Sequence, residues 1–223
     1  MSVPAAQAPP EDAPIVERYS HMAHTFERRP VDTALRALDL FIAGTLLLVA
    51  SPVLAICALA VRFTGRPVLY RGERVGRGGT VFTMYKLRTL RADSETRLGP
   101  YLGAQLTALT RDEQTRVGRF LRTWKLDELP QLYNVVRGDM SLVGPRPVRP
   151  AFFEELCEEI PAYWQRLVVR PGLTGLAQLR MSRDMSWAEK LAHDVEFIAD
   201  RSVRLYLAVV VQTAAYVFSG HWG

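Results

Sequence analysis

Apolar residues fall along this chain in several distinct rhythms. The first is an unbroken run. Leu40 to Val61 carries no charged residue, a stretch as long as the roughly 20 residues that cross a bilayer as a helix. Ser51-Pro52 sits at its midpoint. Proline removes one helical hydrogen bond and crowds the preceding turn, so a kink is expected there. The Ser51 hydroxyl can bond back to a carbonyl that the proline frees. Two courses fit the run: a kinked spanning anchor, or a bent re-entrant helix whose ends return to one side. Arg28, Arg29 and Arg36 precede it, and Arg62, Arg66, Arg71, Arg74 and Arg77 follow it. A single crossing concentrates basic residues on the cytoplasmic side only. Basic flanks at both ends therefore favour the re-entrant course.

The second rhythm is alternation. Val68–Tyr70 and Thr80–Leu87 switch between apolar and polar positions around the turn GRGG, which predicts a β-hairpin. Lys86 and Arg88 then share one strand face, where two cations suit a diphosphate or simply face solvent. Residues 91–115 are polar and read as a loop with room for a short helix.

The third rhythm is helical. Val117, Phe120 and Leu121 recur at helical spacing, with Arg116, Arg119 and Arg122 on another face. Those arginines suit phosphates, lipid headgroups or a solvated face. Leu129, Leu132, Tyr133 and Val136 continue the period past Pro130. Pro130 fits a helix start, with Asp127 and Glu128 as acidic cap and first-turn residues, and Gly138 a stop. A loop over Asp139–Pro147 holds Arg146 between Pro145 and Pro147. Ala151–Ile160 reads as a short helix and Arg170–Gln178 as a loop. A helix over Ser186–Ser202 is capped by Ser186 with Glu189. Val203–Phe218 is an apolar helix packed on the core or lying in a membrane interface. The fold class expected is α/β, mainly helical. The expected order is a mobile tail over 1–30, a re-entrant membrane helix over 31–64 broken at Ser51-Pro52, and a cytoplasmic catalytic domain over 65–219.

Composition narrows the chemistry. The chain has 223 residues, enough to bury a core without disulfides, and only two cysteines, Cys57 and Cys157. The histidines, His21, His24, His193 and His221, are scattered. A metal site built from histidine and cysteine is disfavoured, and oxygen ligands with Mg²⁺, or Mn²⁺ as the alternative, fit better. The net charge of +5 is compatible with nucleic acid, an anionic membrane face or phosphorylated substrates. Lysine occurs only at Lys86, Lys125 and Lys190, so arginine, whose fork grips phosphate, dominates. No nucleic-acid-binding motif is visible, and no nucleic-acid partner is expected. The N-terminal residues lack the apolar centre of a cleaved signal peptide.

Within this frame Asp127-Glu128 has two readings. One is a helix with acidic residues where its dipole favours them. The other is a site that handles anionic phosphate with a metal between carboxylate and substrate. Asp139 is either a further metal ligand or a loop cap. Arg146 either reaches phosphate or ties its loop down through an ion pair.

Four segments in this order resemble the bacterial sugar transferases that act on polyprenol phosphate, the monotopic phosphoglycosyl transferases, in their short form. They are the Ser51-Pro52 helix, RGERVGRGGTVFTMYKLRT, LDELPQLYNVVRGDMSLVGPRP and RPGLTGLAQ, and the likeness runs from about Arg36 to Thr213. The resemblance implies transfer of a sugar-1-phosphate from a nucleoside diphosphate sugar, commonly a UDP-sugar, to polyprenol phosphate. It implies a helix re-entrant in the cytoplasmic leaflet of the bacterial inner membrane, and a place at the first membrane step of surface polysaccharide or glycoconjugate synthesis. By carry-over Asp127 is the nucleophile and Glu128 the Mg²⁺ ligand, with Asp139 a candidate second ligand. Lys86, Arg88 and Arg146 are the donor-phosphate ligands. Oligomeric state is left open, a homo-oligomer included.

Departures from the family pattern are Trp124-Lys125 before the acidic pair, Arg180-Met181-Ser182-Arg183 after RPGLTGLAQ, His193-Asp194 in place of Tyr-Asp, and Tyr206 in place of an Asp. They bear on sugar and nucleotide preference. Two rival readings are a membrane-anchored, non-catalytic binding protein of a polysaccharide assembly complex, and a lipid-diphosphate hydrolase.

Overall fold

Helix α1 (Pro30–Phe63) runs without interruption through Pro52, so the break expected at Ser51-Pro52 is not a break in the helix. Ser51 Oγ donates to Leu48 O at 2.7 Å. In an α-helix the N–H four residues after Leu48 would fill that carbonyl, and that residue is Pro52. The serine hydroxyl thus supplies the donor that proline lacks, and the helix continues. This is a computed structural model, and it describes residues 29–91, 94, 112–180 and 185–219. Nearly all of the predicted tail, most of the polar 91–115 stretch and residues 181–184 lie outside the described residues.

Both ends of α1 pack on the same body of protein. At its start Leu35, Asp39 and Ala43 are buried, and near its end Cys57 and Val61 are; no residue between Ala43 and Cys57 is. Arg36 fastens the first end by donating to Val135 O (2.7 Å) and Val136 O (2.9 Å). Asp39 Oδ1 accepts from Ser141 Oγ, the Leu142 N–H and Tyr206 Oη at 2.7–2.9 Å. These three bonds satisfy a carboxylate that burial would otherwise penalise. The middle of α1 projects apolar side chains outward, among them Leu48, Val49 and Ile56.

Strands β1 (Leu69–Val75) and β2 (Val81–Leu87) form the expected antiparallel hairpin, with Tyr70 opposite Lys86. The turn Arg77–Gly79 between them has two glycines at positive φ, Gly78 and Gly79. Helix α2 (Arg116–Thr123) starts where Thr115 Oγ1 accepts the Gly118 N–H at 2.8 Å. A Cβ on Gly118 would sit 1.9 Å from Thr89 O, so only glycine lets α2 approach the segment after β2 so closely. Leu121 is buried while Phe120 and Trp124 are exposed, which divides the apolar face expected of this helix.

A 3₁₀ turn over Leu126–Glu128 leads into α3 (Gln131–Arg137). Two loops of the sequence reading contain strands. β3 (Ser141–Val143) and β4 (Gly172–Thr174) pair in parallel. Between them lie α4 (Pro150–Glu159) and a 3₁₀ segment over Pro161–Val168. Helix α5 (Leu176–Arg180) follows β4. Helix α6 (Trp187–Asp200) has the predicted capping box, Ser186 accepting from the Glu189 N–H and Glu189 from the Ser186 N–H. Helix α7 (Val203–Ser219) buries Tyr206 and Val209 and exposes Val203, Leu207 and Val211. The main core joins Ala43 of α1, Phe82 and Met84 of β2, Leu132 and Val135 of α3, and Tyr206 of α7. The structure is mostly helical with a small hairpin, as the sequence predicted, and adds a second small sheet that it did not.

Candidate active site

Asn134 sets the geometry. It is fully buried in α3, and its Oδ1 accepts the Tyr85 N–H at 3.1 Å. Its Nδ2 donates to Thr83 O (2.8 Å) and to Asp139 Oδ2 (3.0 Å). The amide of one side chain therefore bonds the middle of β2 and the loop after α3 at once. With α3 locked against β2, the turn that precedes α3 lies beside the end of β2, next to Lys86.

That turn is made by an unusual backbone. Lys125 adopts φ +55°, the one non-glycine residue with positive φ among the described residues. A lysine in the left-handed region is uncommon, and here it reverses the chain between α2 and the Leu126–Glu128 turn. Pro130, with φ −59°, then caps α3 from outside, and Gly138 at φ +100° ends it. Asp127 and Glu128 therefore precede α3 in a separate 3₁₀ turn and are not its first-turn residues. What fixes them is the reversal at Lys125 and the contact with β2.

Glu128 Oε1 receives two cations, Lys86 Nζ at 2.7 Å and Arg146 Nη2 at 3.2 Å. Burial pushes the Glu128 carboxyl up, but the charges of Arg146 and Lys86 outweigh it and hold the group well below the usual carboxylate range. Asp127 moves the other way. Burial, and then the neighbouring Glu128 charge, raise it against the pull of Lys86, Arg122 and Lys125. Asp127 is 6% exposed, and its Oδ1 has no hydrogen-bond partner. A buried acceptor without a partner costs roughly 1–3 kcal/mol. Adjacent carboxylates in environments that drive them apart are suited to different tasks.

Of the residues singled out in the sequence, Asp127, Glu128, Lys86 and Arg146 come together. Arg88 does not join them. It lies one residue past β2, buried, and donates to Pro67 O (2.6 Å), Leu90 O (2.7 Å) and Thr64 Oγ1 (3.1 Å). The phosphate role expected of Arg88 gives way to a clasp between the end of α1 and both flanks of the hairpin. Asp139 is also elsewhere. Its Oδ2 accepts from Asn134 and, at 2.7 Å, from Arg137 Nε. It follows α3 whereas Glu128 precedes it, and a helix of that length spans about 10 Å. Asp139 is thus a loop cap and not a partner of Glu128 for metal. Arg122 donates to Thr89 Oγ1 at 2.9 Å.

Three features escaped the sequence reading. One is Asn134. Another is the backbone of Lys125, which no glycine signals. The third is a buried cluster behind Arg146, in which Arg166 donates to Asp194 Oδ2 (2.8 Å), Tyr163 Oη (2.6 Å) and Arg146 O (2.8 Å). Arg166 therefore anchors the backbone of the residue whose side chain reaches Glu128. Arg166 and Asp194 lie 28 positions apart, so no local pattern links them.

The residues present fit a hard divalent cation shared with substrate. Among the described residues no group of three or more His, Cys, Asp or Glu side chains is placed to hold a metal. Mg²⁺ does not need one, since it is commonly held by one or two carboxylates together with phosphates and water. Glu128 supplies one such carboxylate, with Lys86 and Arg146 beside it for phosphate, and the unpartnered Asp127 oxygen stays open to substrate.

The buried Asp127 and the partly buried Glu128, with Lys86 and Arg146 on Glu128, lie within a stretch of sequence that matches a known family. The profile of the bacterial sugar transferase family matches residues 31–220, and the chain belongs to that family. It is 40% identical over 194 residues to a UDP-glucose:undecaprenyl-phosphate glucose-1-phosphate transferase of Caulobacter vibrioides, covering 83% of this chain and 70% of that protein. It is 42% identical over 133 residues to a putative undecaprenyl-phosphate N-acetylgalactosaminyl 1-phosphate transferase of Bacillus subtilis, covering 59% of this chain and 72% of that protein. An undecaprenyl-phosphate galactose phosphotransferase of Salmonella typhimurium is 34% identical over 192 residues, which are 82% of this chain and 40% of that larger protein. The chain is a transferase.

Proposed function

We propose that this protein transfers a sugar-1-phosphate from a nucleoside diphosphate sugar, a UDP-sugar by the names of its relatives, to undecaprenyl phosphate or a similar polyprenol phosphate. The observation that carries the reading is the unpartnered Asp127 Oδ1 beside a Glu128 held ionised by Lys86 and Arg146. Asp127 attacks the phosphorus that bears the sugar. The bond from that phosphorus to the bridging oxygen breaks, and the nucleoside monophosphate leaves with the electron pair. The sugar phosphate is then an acyl phosphate on Asp127. A polyprenol phosphate oxygen attacks the same phosphorus, the acyl phosphate bond breaks, and Asp127 returns as a carboxylate. Atoms and charge balance without an oxidant or a net proton. Lys86 and Arg146 meet the phosphate oxygens. Glu128 would hold Mg²⁺, which when bound supplies neutralisation of the diphosphate and of the leaving phosphate.

The helix α1 brings the lipid acceptor to this site. Its most apolar 18-residue window has a mean hydropathy of 2.4. Exposing Leu48, Val49 and Ile56 to water would forgo roughly 1.5–3 kcal/mol each, and lipid removes that cost. Because both ends of α1 pack on the same domain, the reading is a re-entrant helix whose exposed middle enters the cytoplasmic leaflet of the inner membrane. A first step in surface polysaccharide or glycoconjugate assembly follows from the product, a polyprenol diphosphate sugar.

The test is an incubation of purified protein in nanodiscs with undecaprenyl phosphate, Mg²⁺ and a panel of UDP-sugars, assayed for UMP. The expected result is UMP release that requires one sugar donor, the lipid and Asp127. Release of free sugar phosphate without lipid would identify a hydrolase instead, and no release with any donor would overturn the reading.

A further inference from the structure

We propose that metal and donor enter this site together, because Lys86 and Arg146 neutralise the carboxylate that the metal needs until a diphosphate draws them away. The inference rests on the reading of Glu128 as the metal-holding residue. It goes beyond that reading by assigning an order and a mutual dependence to the two ligands.

The geometry is a clamp. One oxygen of Glu128 accepts from a lysine of β2 at 2.7 Å and an arginine of the Pro145–Pro147 loop at 3.2 Å. The charges around it extend the effect. Lys86, Lys125 and Arg146 act on Glu128, and Lys86, Lys125 and Arg122 act on Asp127. Four cations thus face two carboxylates. A divalent cation arriving alone enters surroundings that are already positive and competes with Lys86 and Arg146 for Glu128. A diphosphate arriving alone meets an excess of positive charge. Arg146 is free to respond, since its side chain is 52% exposed, whereas the Lys86 side chain is 19% exposed. When both cations turn to phosphate oxygens, Glu128 is left partly buried, ionised and short of a counter-charge, and a metal then restores the balance. By linkage, the donor raises metal affinity by the same factor as the metal raises donor affinity.

Direct binding of Mn²⁺, followed by electron paramagnetic resonance of the free ion, tests this on the full chain in nanodiscs. Without donor the native protein is expected to bind Mn²⁺ weakly. Arg146→Gln and, separately, Lys86→Met are expected to tighten that donor-free affinity by about tenfold or more, the effect of removing a unit charge about 5 Å from a divalent ion even at the dielectric constant of water. A cation that stood clear of Glu128, beyond the reach of screening, would leave donor-free metal affinity unchanged. Formation of the ternary complex is measured with a UDP-sugar in the Asp127→Asn background, which holds the donor unreacted, against a protein-free control for metal bound by the nucleotide. Ternary binding with no tightening in either variant overturns the inference alone. Tight donor-free binding by the native protein also overturns it. No protein-bound Mn²⁺ even with donor overturns the metal role of Glu128 itself, and the inference with it.

Discussion

Ser51 Oγ donates at 2.7 Å to Leu48 O, the carbonyl that Pro52 leaves without its helical donor. The bond accounts for a helix that passes through proline in its most apolar stretch. It makes the two residues interdependent. Ser51→Ala alone is expected to cost about 1 kcal/mol, because the Leu48 carbonyl then has no partner in an apolar surrounding. In a Pro52→Leu background the helical N–H is restored and the same change should cost close to nothing. A double-mutant cycle of thermal unfolding in nanodiscs measures the difference. Additive effects would mean that the hydroxyl does not serve the proline.

Arg88 and Lys86, two positions apart, should fail in different ways. Arg88 donates to three backbone carbonyls and a threonine hydroxyl at the end of α1 and on both flanks of the hairpin. Arg88→Met strands those acceptors and is expected to destabilise the fold by about 2–4 kcal/mol, with little change in donor KM for the protein that remains folded. Lys86→Met removes a cation from Glu128 and is expected to lower kcat/KM at least tenfold with a smaller loss of stability. Steady-state kinetics beside thermal unfolding separates the two. A raised donor KM in Arg88→Met at unchanged stability would return Arg88 to the phosphate site.

This contrast shows where the sequence was readable. The hairpin, the capped helix at Ser186 and the serine's service to Pro52 follow from local chemistry, and local chemistry is what a sequence displays. Asp127, Glu128, Lys86 and Arg146 could be singled out because the motifs around them are specific. Arg88 looked equivalent to Lys86, since alternation describes a strand and says nothing about the residue just past its end. Strands β3 and β4 have three residues each, too few for any period, and they exist because two distant loops pair. Lys125 at positive φ and the Arg166–Asp194 contact are likewise set by packing between remote segments.

Neighbouring carboxylates in this site are expected to affect stability with opposite signs. Asp127 is raised by burial and by Glu128, so the folded protein holds its proton more tightly than the unfolded chain. Ionising it therefore lowers stability as pH rises above the unfolded carboxylate range. Glu128 is depressed by Arg146 and Lys86 despite burial. It contributes stability that is present above its unfolded pKa and lost as pH falls toward its folded one. At neutral pH Asp127→Asn should raise stability by about 1 kcal/mol and Glu128→Gln should lower it by about 2 kcal/mol, the scale of hydrogen bonds to charged groups. The gain in Asp127→Asn should shrink on acidification below the unfolded range. Both variants should lose transfer activity. Unfolding curves of the three proteins across pH check this, and a destabilised Asp127→Asn at pH 7 would contradict the environment assigned to Asp127.

Arg166 and Asp194 form a buried ion pair, with side chains 7% and 4% exposed and a 2.8 Å contact. Removing one partner leaves the other charged and buried, which costs roughly 3–5 kcal/mol. Arg166→Met is therefore expected to be strongly destabilised, and Arg166→Met with Asp194→Leu should recover much of the loss, since an apolar pair of similar volume avoids the stranded charge. Recovery of stability should not recover activity. Arg166 also holds Arg146 O at 2.8 Å, and the apolar replacement cannot. The double variant is expected to fold while showing a raised donor KM, because Arg146 has lost the bond that fixes its backbone. Thermal unfolding and donor KM measured on the same preparations decide the matter. A folded double variant with native KM would limit the pair to stability and leave the placement of Arg146 to Pro145 and Pro147.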